Sequence, residues 1–172
     1  MTQDTWACRP ATIEDVRTVA ALAAEIWHEY YGALLSLEQI VYMVDKFQSP
    51  DAIADQISEQ GYEYYLMRAD GADVGYLAVK AEDGKLFLSK LYVLKAHRGR
   101  GYASSAMAFL IRLCRERGLG AVWLTVNRHN DASIAVYEKK GFRKVREQVA
   151  DIGNGYVMDD FIMEKAIGET DR

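Results

Sequence analysis

Lys85-Leu-Phe-Leu-Ser-Lys-Leu-Tyr-Val93 runs without interruption into Leu94-Lys-Ala-His-Arg-Gly-Arg-Gly-Tyr-Ala103, and a helical pattern follows directly. The first stretch, rich in Leu, Phe, Tyr and Val, reads as a strand. The second reads as an anion cradle. Glycines at 99 and 101 let the backbone turn tightly, so that successive N–H groups face one point. The helix beginning at Tyr102 adds its dipole and several amides without intrahelical partners. Arg98 and Arg100 contribute charge and bidentate donors suited to phosphate. A bound pyrophosphate satisfies these groups together.

Other phosphate loops fit less well. A Walker loop needs Lys-Ser/Thr after its last glycine, where this chain has Tyr102-Ala103. A dinucleotide fingerprint needs a third glycine that is missing here. An RG-type RNA-binding tract is repeated and disordered, whereas this one is single and embedded between a strand and a helix. Taken by itself, the loop also suits a plain Gly-rich turn with solvated arginines.

Upstream, Trp6 to Arg9 is a short apolar start that suits an edge or first strand. Thr12-Ile-Glu-Asp15 offers an N-cap with an acid three residues later, and Ile13, Val16, Val19, Ala20, Ala23, Ala24 and Trp27 keep helical spacing up to Gly32. Ser36-Leu-Glu-Gln39 is a second capping box, leading into Ile40, Met43, Val44 and Phe47. Ser49-Pro50 opens a third helical segment that runs to Gln60. Residues 62–69, 74–82 and 85–94 form an antiparallel meander, with Asp70-Gly71 and Asp83-Gly84 as tight turns. Downstream, a helix over 102–117 ends at Gly118. Residues 121–126 form a buried strand suited to parallel pairing. A helix runs from Asn130 to Lys140, and 142–152 and 156–164 close the chain as a hairpin around Gly153-Asn154-Gly155. The order βαα(α)βββαβαββ implies a mixed sheet flanked by helices, the α/β (α+β mixed) class, in a single domain over residues 1–172.

The bulk numbers set outer limits. A chain of 172 residues, half of them hydrophobic and 27% charged, is an ordinary globular domain. A net charge of −4 makes nucleic acid a poor partner and tolerates cationic ligands. No apolar run is long enough to cross a bilayer, and the first residues lack a signal peptide, so the expectation is a cytoplasmic protein with no membrane partner. Cys8 and Cys114 show no metal-ligand spacing and read as reduced thiols; no metal is expected.

A second segment decides what owns the loop. Asn130-Asp-Ala-Ser-Ile-Ala-Val-Tyr137-Glu-Lys-Lys-Gly141-Phe142 follows one strand later. Together the two segments resemble the GNAT superfamily of acetyl-CoA-dependent N-acetyltransferases. Its motif Q/R-x-x-G-x-G/A is met by Arg98, Gly101 and Ala103. Its pattern N-x-x-(A/S)-x-x-x-Y-(E)-K-x-GF is met by Asn130, Ser133, Tyr137, Glu138, Lys139, Gly141 and Phe142. The resemblance covers residues 6 to 165. It implies a mostly antiparallel mixed sheet whose two central parallel strands splay around the pantetheine arm of acetyl-CoA. Backbone groups along Leu91-Tyr92-Val93 would pair with that arm, and amides of Arg98, Gly99, Arg100, Gly101, Tyr102, Ala103 and Ser104 would hold the pyrophosphate. Asn130 would bond the cofactor, although a helix N-cap explains it equally. Tyr137 would be the general acid for the departing thiolate, against the alternative of a packed helix tyrosine. A backbone N–H near Val93 would polarise the thioester carbonyl.

The general base is open. A primary amine, with a pKa of roughly 10.4, must lose a proton before it attacks, and many relatives place a Glu on the strand before the loop. Leu86 to Val93 contains no carboxylate. His28, Glu25 and Glu29 are candidates, directly or through water, and each equally suits a surface position. His97 beside the loop suits a solvent-facing position or an approach to a phosphate, and His129 reads as a loop residue. Tyr30, Tyr31, Tyr62, Tyr64 and Tyr65 suit either a cation-binding cleft or the core. Asp151, Asp159 and Asp160 suit a cationic substrate or, more simply, a solvated patch. Ser36–Met43, Leu88–Val93 and Tyr156–Lys165 further resemble PaiA-type polyamine N-acetyltransferases of bacteria, implying a small amine such as spermidine as partner. Protein N-terminal or lysine acetylation, and a non-catalytic acetyl-CoA-binding module, stay open as alternatives. A homodimer is common for the fold.

Overall fold

The computed structural model describes residues 6–168. Its elements are β1 (Trp6–Pro10), α1 (Val16–Tyr31), α2 (Leu37–Gln48), α3 (Pro50–Ser58), β2 (Glu63–Ala69), β3 (Ala72–Glu82), β4 (Lys85–Val93), α4 (Tyr102–Arg117), β5 (Ala121–Asn127), α5 (Asp131–Lys139), β6 (Arg143–Gly153) and β7 (Tyr156–Ala166). The strand order is β1-β2-β3-β4-β5-β7-β6, a seven-stranded sheet that is antiparallel except where β4 meets β5. This is the mixed α/β class expected from the element order. The described residues divide into two compact units, one comprising 6–80 with Lys90–Met107, the other Ala81–Ser89 with 108–168.

In the first unit, α1 begins one turn later than the sequence suggests. Thr12 caps a short 3-10 turn over Ile13–Asp15, and the Asp15 carboxylate accepts from the Thr12 backbone N–H at 2.9 Å. Arg9 then clamps Asp15 through two bonds of 2.9 and 3.0 Å, so the acid serves both ends of the connection and its carboxyl is held down to about 2. Ser36 and Ser49 cap α2 and α3 as expected, and Pro50 sits in the first turn of α3, where its missing N–H costs nothing. The three helices pack on one another, and Ile26, Ile40 and Ile53, one from each, are at most 2% exposed.

The interior of this unit also holds a chain of polar groups. Trp27 Nε1 donates to the Tyr76 hydroxyl at 3.0 Å, which donates to Gln48 Oε1 at 2.6 Å. Gln48 Nε2 reaches the Tyr64 hydroxyl at 2.9 Å, and that hydroxyl donates to Gln56. Every member has a partner, the condition under which buried polar groups are tolerated. Burial drives the Tyr64 and Tyr76 phenols well above the ordinary tyrosine range.

In the second unit, β7 lies between β5 and β6. Leu86, Leu110, Cys114, Val122, Leu124 and Met163 form its core. Phe87 stacks on Trp123 with centroids 4.1 Å apart, and the parallel ladder pairs Leu86 with Val122 and Phe87 with Trp123, near the amino ends of β4 and β5. Both cysteines are free; burial raises the thiols to about 12 for Cys8 and about 11 for Cys114, so neither is an activated nucleophile.

Candidate active site

In the first unit the loop has the conformation its glycines permit. Gly99 and Gly101 both sit at φ +81, with open space where a Cβ would stand. Glycine is needed there for its backbone angle, not for room. α4 starts at Tyr102, and its first intrahelical bond runs from the Ser105 N–H to the Gly101 carbonyl. The amides before Ser105 stand in the turn that has no intrahelical acceptors. Gly99, Arg100, Gly101, Ala103 and Ser104 are exposed, whereas Tyr102 is buried and anchors the helix start.

Arg98 is more constrained than a solvated arginine. Its Nε donates to the Val93 carbonyl at 3.0 Å, and its guanidinium lies 4.0 Å from Glu29. Glu29 also accepts from the Lys95 backbone N–H at 3.1 Å. One carboxylate on α1 therefore holds both ends of the turn that leads into the loop. Of the three candidate bases on α1, Glu29 is engaged in this way, and Glu25 and His28 lie on the exposed side of the helix. His97, expected to face solvent, is half-buried, and its Nδ1 is buried without a hydrogen-bond partner among the described residues. Leu91 and Tyr92 are half-buried and Val93 is buried at the end of β4.

The tyrosines divide. Tyr31, Tyr64 and Tyr65 are buried core residues. Tyr31 shares a hydroxyl contact of 3.0 Å with Tyr92, whose ring also meets Trp27, Tyr30 and Tyr76 edge-on or tilted at 5.3–6.0 Å. Tyr30 and Tyr62 keep partial exposure, and the Lys80 and Lys90 ammoniums stand over the Tyr62 ring at 5.4 and 5.8 Å. Burial lowers Lys90 to about 8.

In the second unit, Asn130 caps α5 by accepting from the Ser133 N–H at 3.2 Å. The Asn-x-x-Ser part of the second motif thus has a structural use of its own. Tyr137 is half-buried on α5, with its ring edge-on to Phe142 at 5.5 Å. The Phe142 N–H bonds to the Tyr137 carbonyl, which fixes the turn at Gly141. His129 is an exposed loop residue, as expected. Asp159 accepts from Arg128 Nε at 3.0 Å, and Asp151 accepts from the Gly153 N–H in the hairpin turn at 2.8 Å. Asp160 departs from the expected solvated patch. It is 6% exposed, its Oδ1 has no hydrogen-bond partner among the described residues, and burial together with the Asp159 charge raises it to about 6.

A cleft of about 520 Å³ in this unit is lined by Trp123, Ile162, Glu164, Arg146 and Lys85. It sits near the amino ends of β4 and β5, whereas ligands of open α/β sheets lie beyond the carboxyl ends.

The sequence profile of the Acetyltransferase (GNAT) family matches residues 21–142, from α1 through the Gly loop to Phe142. The chain belongs to this family. An uncharacterised N-acetyltransferase of Mycobacterium bovis is 30% identical over 149 residues, 84% of this chain and 96% of that protein. Spermidine N(1)-acetyltransferase of Thermoplasma acidophilum is 25% identical over 161 residues, 91% of this chain and 94% of that protein. Among solved structures, the PaiA N-acetyltransferase of Thermoplasma acidophilum in complex with coenzyme A is similar with a TM-score of 0.79 and 23% identity, covering 94% of this chain and 99% of that one. The protein is accordingly a GNAT-type N-acetyltransferase, and no helix among its described residues is long and apolar enough to cross a membrane.

Proposed function

We propose that the chain transfers the acetyl group of acetyl-CoA directly to a primary amine of a small molecule, a polyamine such as spermidine. The observation that carries this reading is the loop from Arg98 to Gly101, with two glycines at φ +81 at the head of a 16-residue helix, in a chain of the N-acetyltransferase family. In this reading the amides from Arg98 to Ser104 hold the pyrophosphate. Backbone groups from Leu91 to Val93 pair with the pantetheine arm. Asn130 adds a donor from the amide end of its side chain while its oxygen caps α5. Tyr137 protonates the departing thiolate. The spermidine acetyltransferase among the relatives supports a polyamine acceptor, as does the net charge of −4.

Thiol release from acetyl-CoA with a panel of polyamines, peptides and aminoglycosides tests the proposal. Turnover with spermidine and none with peptides is expected. Peptide turnover alone would replace the small amine with a protein acceptor, and tight coenzyme A binding without acceptor-dependent release would leave a binding module. Tyr137→Phe is expected to lower kcat by about 10²-fold or more, the usual worth of a positioned general acid, with little change in coenzyme A affinity. An unchanged kcat removes the acid role.

A further inference from the structure

The side chain of the buried Asp160 keeps an Oδ1 with no hydrogen-bond partner among the described residues, and the roles proposed for Asn130 and Tyr137 do not use it. Burying an ionised carboxylate with an unsatisfied oxygen is costly, and a cation brought beside it offsets that cost. Among the described residues no cation is paired with it. Asp159 is tied to Arg128, and Arg128 is also paired with Glu147 at 2.7 Å. On the flanking strands Asp160 stands opposite Asn127 of β5 and Gln148 of β6. The Asn127 Oδ1 already accepts from the His129 N–H.

Its position in the sheet points to a ligand. Cross-strand partners share a face, so Asn127, Asp160 and Gln148 make a polar row across three strands, beside the row of Thr125, Ile162 and Arg146. Asn127 is the last residue of β5, the strand in the parallel pair, and the carboxyl ends of parallel strands are where such sheets bind ligands. Three residues further on, Asn130 caps the helix that carries Tyr137.

We infer that Asp160 is the general base that takes the proton from the acceptor ammonium, an assignment that rests on the amine-acetyltransferase reading above. The ammonium gives one proton to the carboxylate, leaving a neutral amine and a carboxylic acid. The amine lone pair forms the C–N bond at the thioester carbonyl carbon, and the C–S bond breaks. The thiolate takes the Tyr137 phenol proton, and the second nitrogen proton passes to the phenolate. Asp160 then releases its proton to water, so one proton leaves per turnover. A carboxyl near 6 is ionised at neutral pH, yet is a stronger base than an ordinary aspartate.

Steady-state thiol release by the full chain from pH 5 to 9, with spermidine as acceptor, tests the assignment. The wild type should lose kcat/KM on the acid side with an apparent pKa near 6. Asp160→Asn should lower kcat by about 10²–10⁴-fold and abolish that acid limb, while its calorimetric affinity for coenzyme A stays unchanged. Asp160→Glu should restore part of the rate. A well-folded Asp160→Asn protein with kcat within threefold of wild type, or a slow one that keeps the acid limb, overturns the assignment. Carboxyl titration of wild-type protein carrying ¹³C-aspartate gives a second reading if the variant fails to fold. The raised carboxyl must titrate lower when spermidine is added, and an unmoved titration also overturns it. If wild type itself acetylates no amine, the acetyltransferase reading fails and this assignment falls with it. If wild type turns over and Asp160→Asn matches it, only the base is wrong.

Discussion

Replacing Asp160 with Asn should stabilise the protein at pH 8 and lose that advantage at pH 4. The rise of the carboxyl from the ordinary 3.8 to about 6 comes first from burial and then from the Asp159 charge. At 1.36 kcal/mol per unit this corresponds to about 3 kcal/mol by linkage. The sign follows from proton uptake. Between the unfolded and folded values the native state binds the proton more tightly than the unfolded chain. Its stabilising effect is therefore complete below about pH 4 and is lost as the pH rises through 6. Asparagine has nearly the same shape and no charge, so its contribution does not depend on pH. The difference in unfolding free energy between variant and wild type should grow by about 3 kcal/mol from pH 4 to pH 8, as measured by urea denaturation. At pH 8 that is about 6–12 °C in Tm for a chain of this size. The charged neighbours, Asp159, Arg128 and Glu147, keep their ion pairs in both proteins, so their titration cancels to first order. A difference that is equal at the two pH values, or a variant that loses stability specifically at pH 8, would refute the reasoning. Either result would mean that the native carboxylate has a compensating partner.

Gly75→Ala should cost about 3 kcal/mol or more in chemical denaturation, beyond ordinary overpacking. Its Cβ would overlap the Tyr92 carbonyl oxygen and come within 3.1 Å of Val93 Cα, atoms that move only if β3 and β4 part. Tyr76→Phe should cost about 2–4 kcal/mol, because Trp27 Nε1 and Gln48 Oε1 each lose a buried partner; a cost below about 1 kcal/mol by urea denaturation would mean that water or a rearrangement replaces the hydroxyl. Glu29→Gln should weaken coenzyme A binding about twofold to fivefold by calorimetry, since a half-exposed ion pair contributes up to about 1 kcal/mol. An unchanged affinity would show that the turn at Lys95 holds itself.

The elements were legible because their signals are local. Capping serines, Asp-Gly turns and apolar spacing act over four or five residues, and Ser36, Ser49, Asp70-Gly71 and Asp83-Gly84 do in the structure what they suggest in the sequence. What was not legible depends on residues far apart in the chain. Glu29 was a candidate base on its helix pattern, and only the fold sets it beside Lys95 and Arg98. Tyr31, Tyr64 and Tyr65 suited a cleft or a core equally well until packing placed them inside. Asp160 carried no local signal that set it apart from Asp159. In Met158-Asp-Asp-Phe-Ile162 the two-residue alternation of a strand puts Asp160 on the face of Met158 and Ile162, whereas Asp159 faces the other way. Because Asp159 in turn shares its face with Val157 and Phe161, both faces are apolar in sequence, and only the fold decides which acid is buried.

The end of β4 is fixed more firmly than a strand next to a loop usually is. Gly75 lets the β3 backbone lie directly against the Tyr92 carbonyl and Val93 Cα. The Tyr92 ring is held among Trp27, Tyr30 and Tyr76, and its hydroxyl is 3.0 Å from that of Tyr31. Beyond Val93, the Leu94 N–H bonds to the Val74 carbonyl at 2.8 Å, and Glu29 then ties Lys95 and Arg98 to α1. Within this unit, then, the backbone from Tyr92 to Arg98 is fastened at almost every step, and the flexible glycines begin only where the fastening stops. A site that must hold a long ligand in register gains most from such an arrangement, because rigidity in the support reduces the entropy lost on binding. The aromatic and amide network of the core therefore has a use beyond stability: it sets the edge from which the Gly loop is presented.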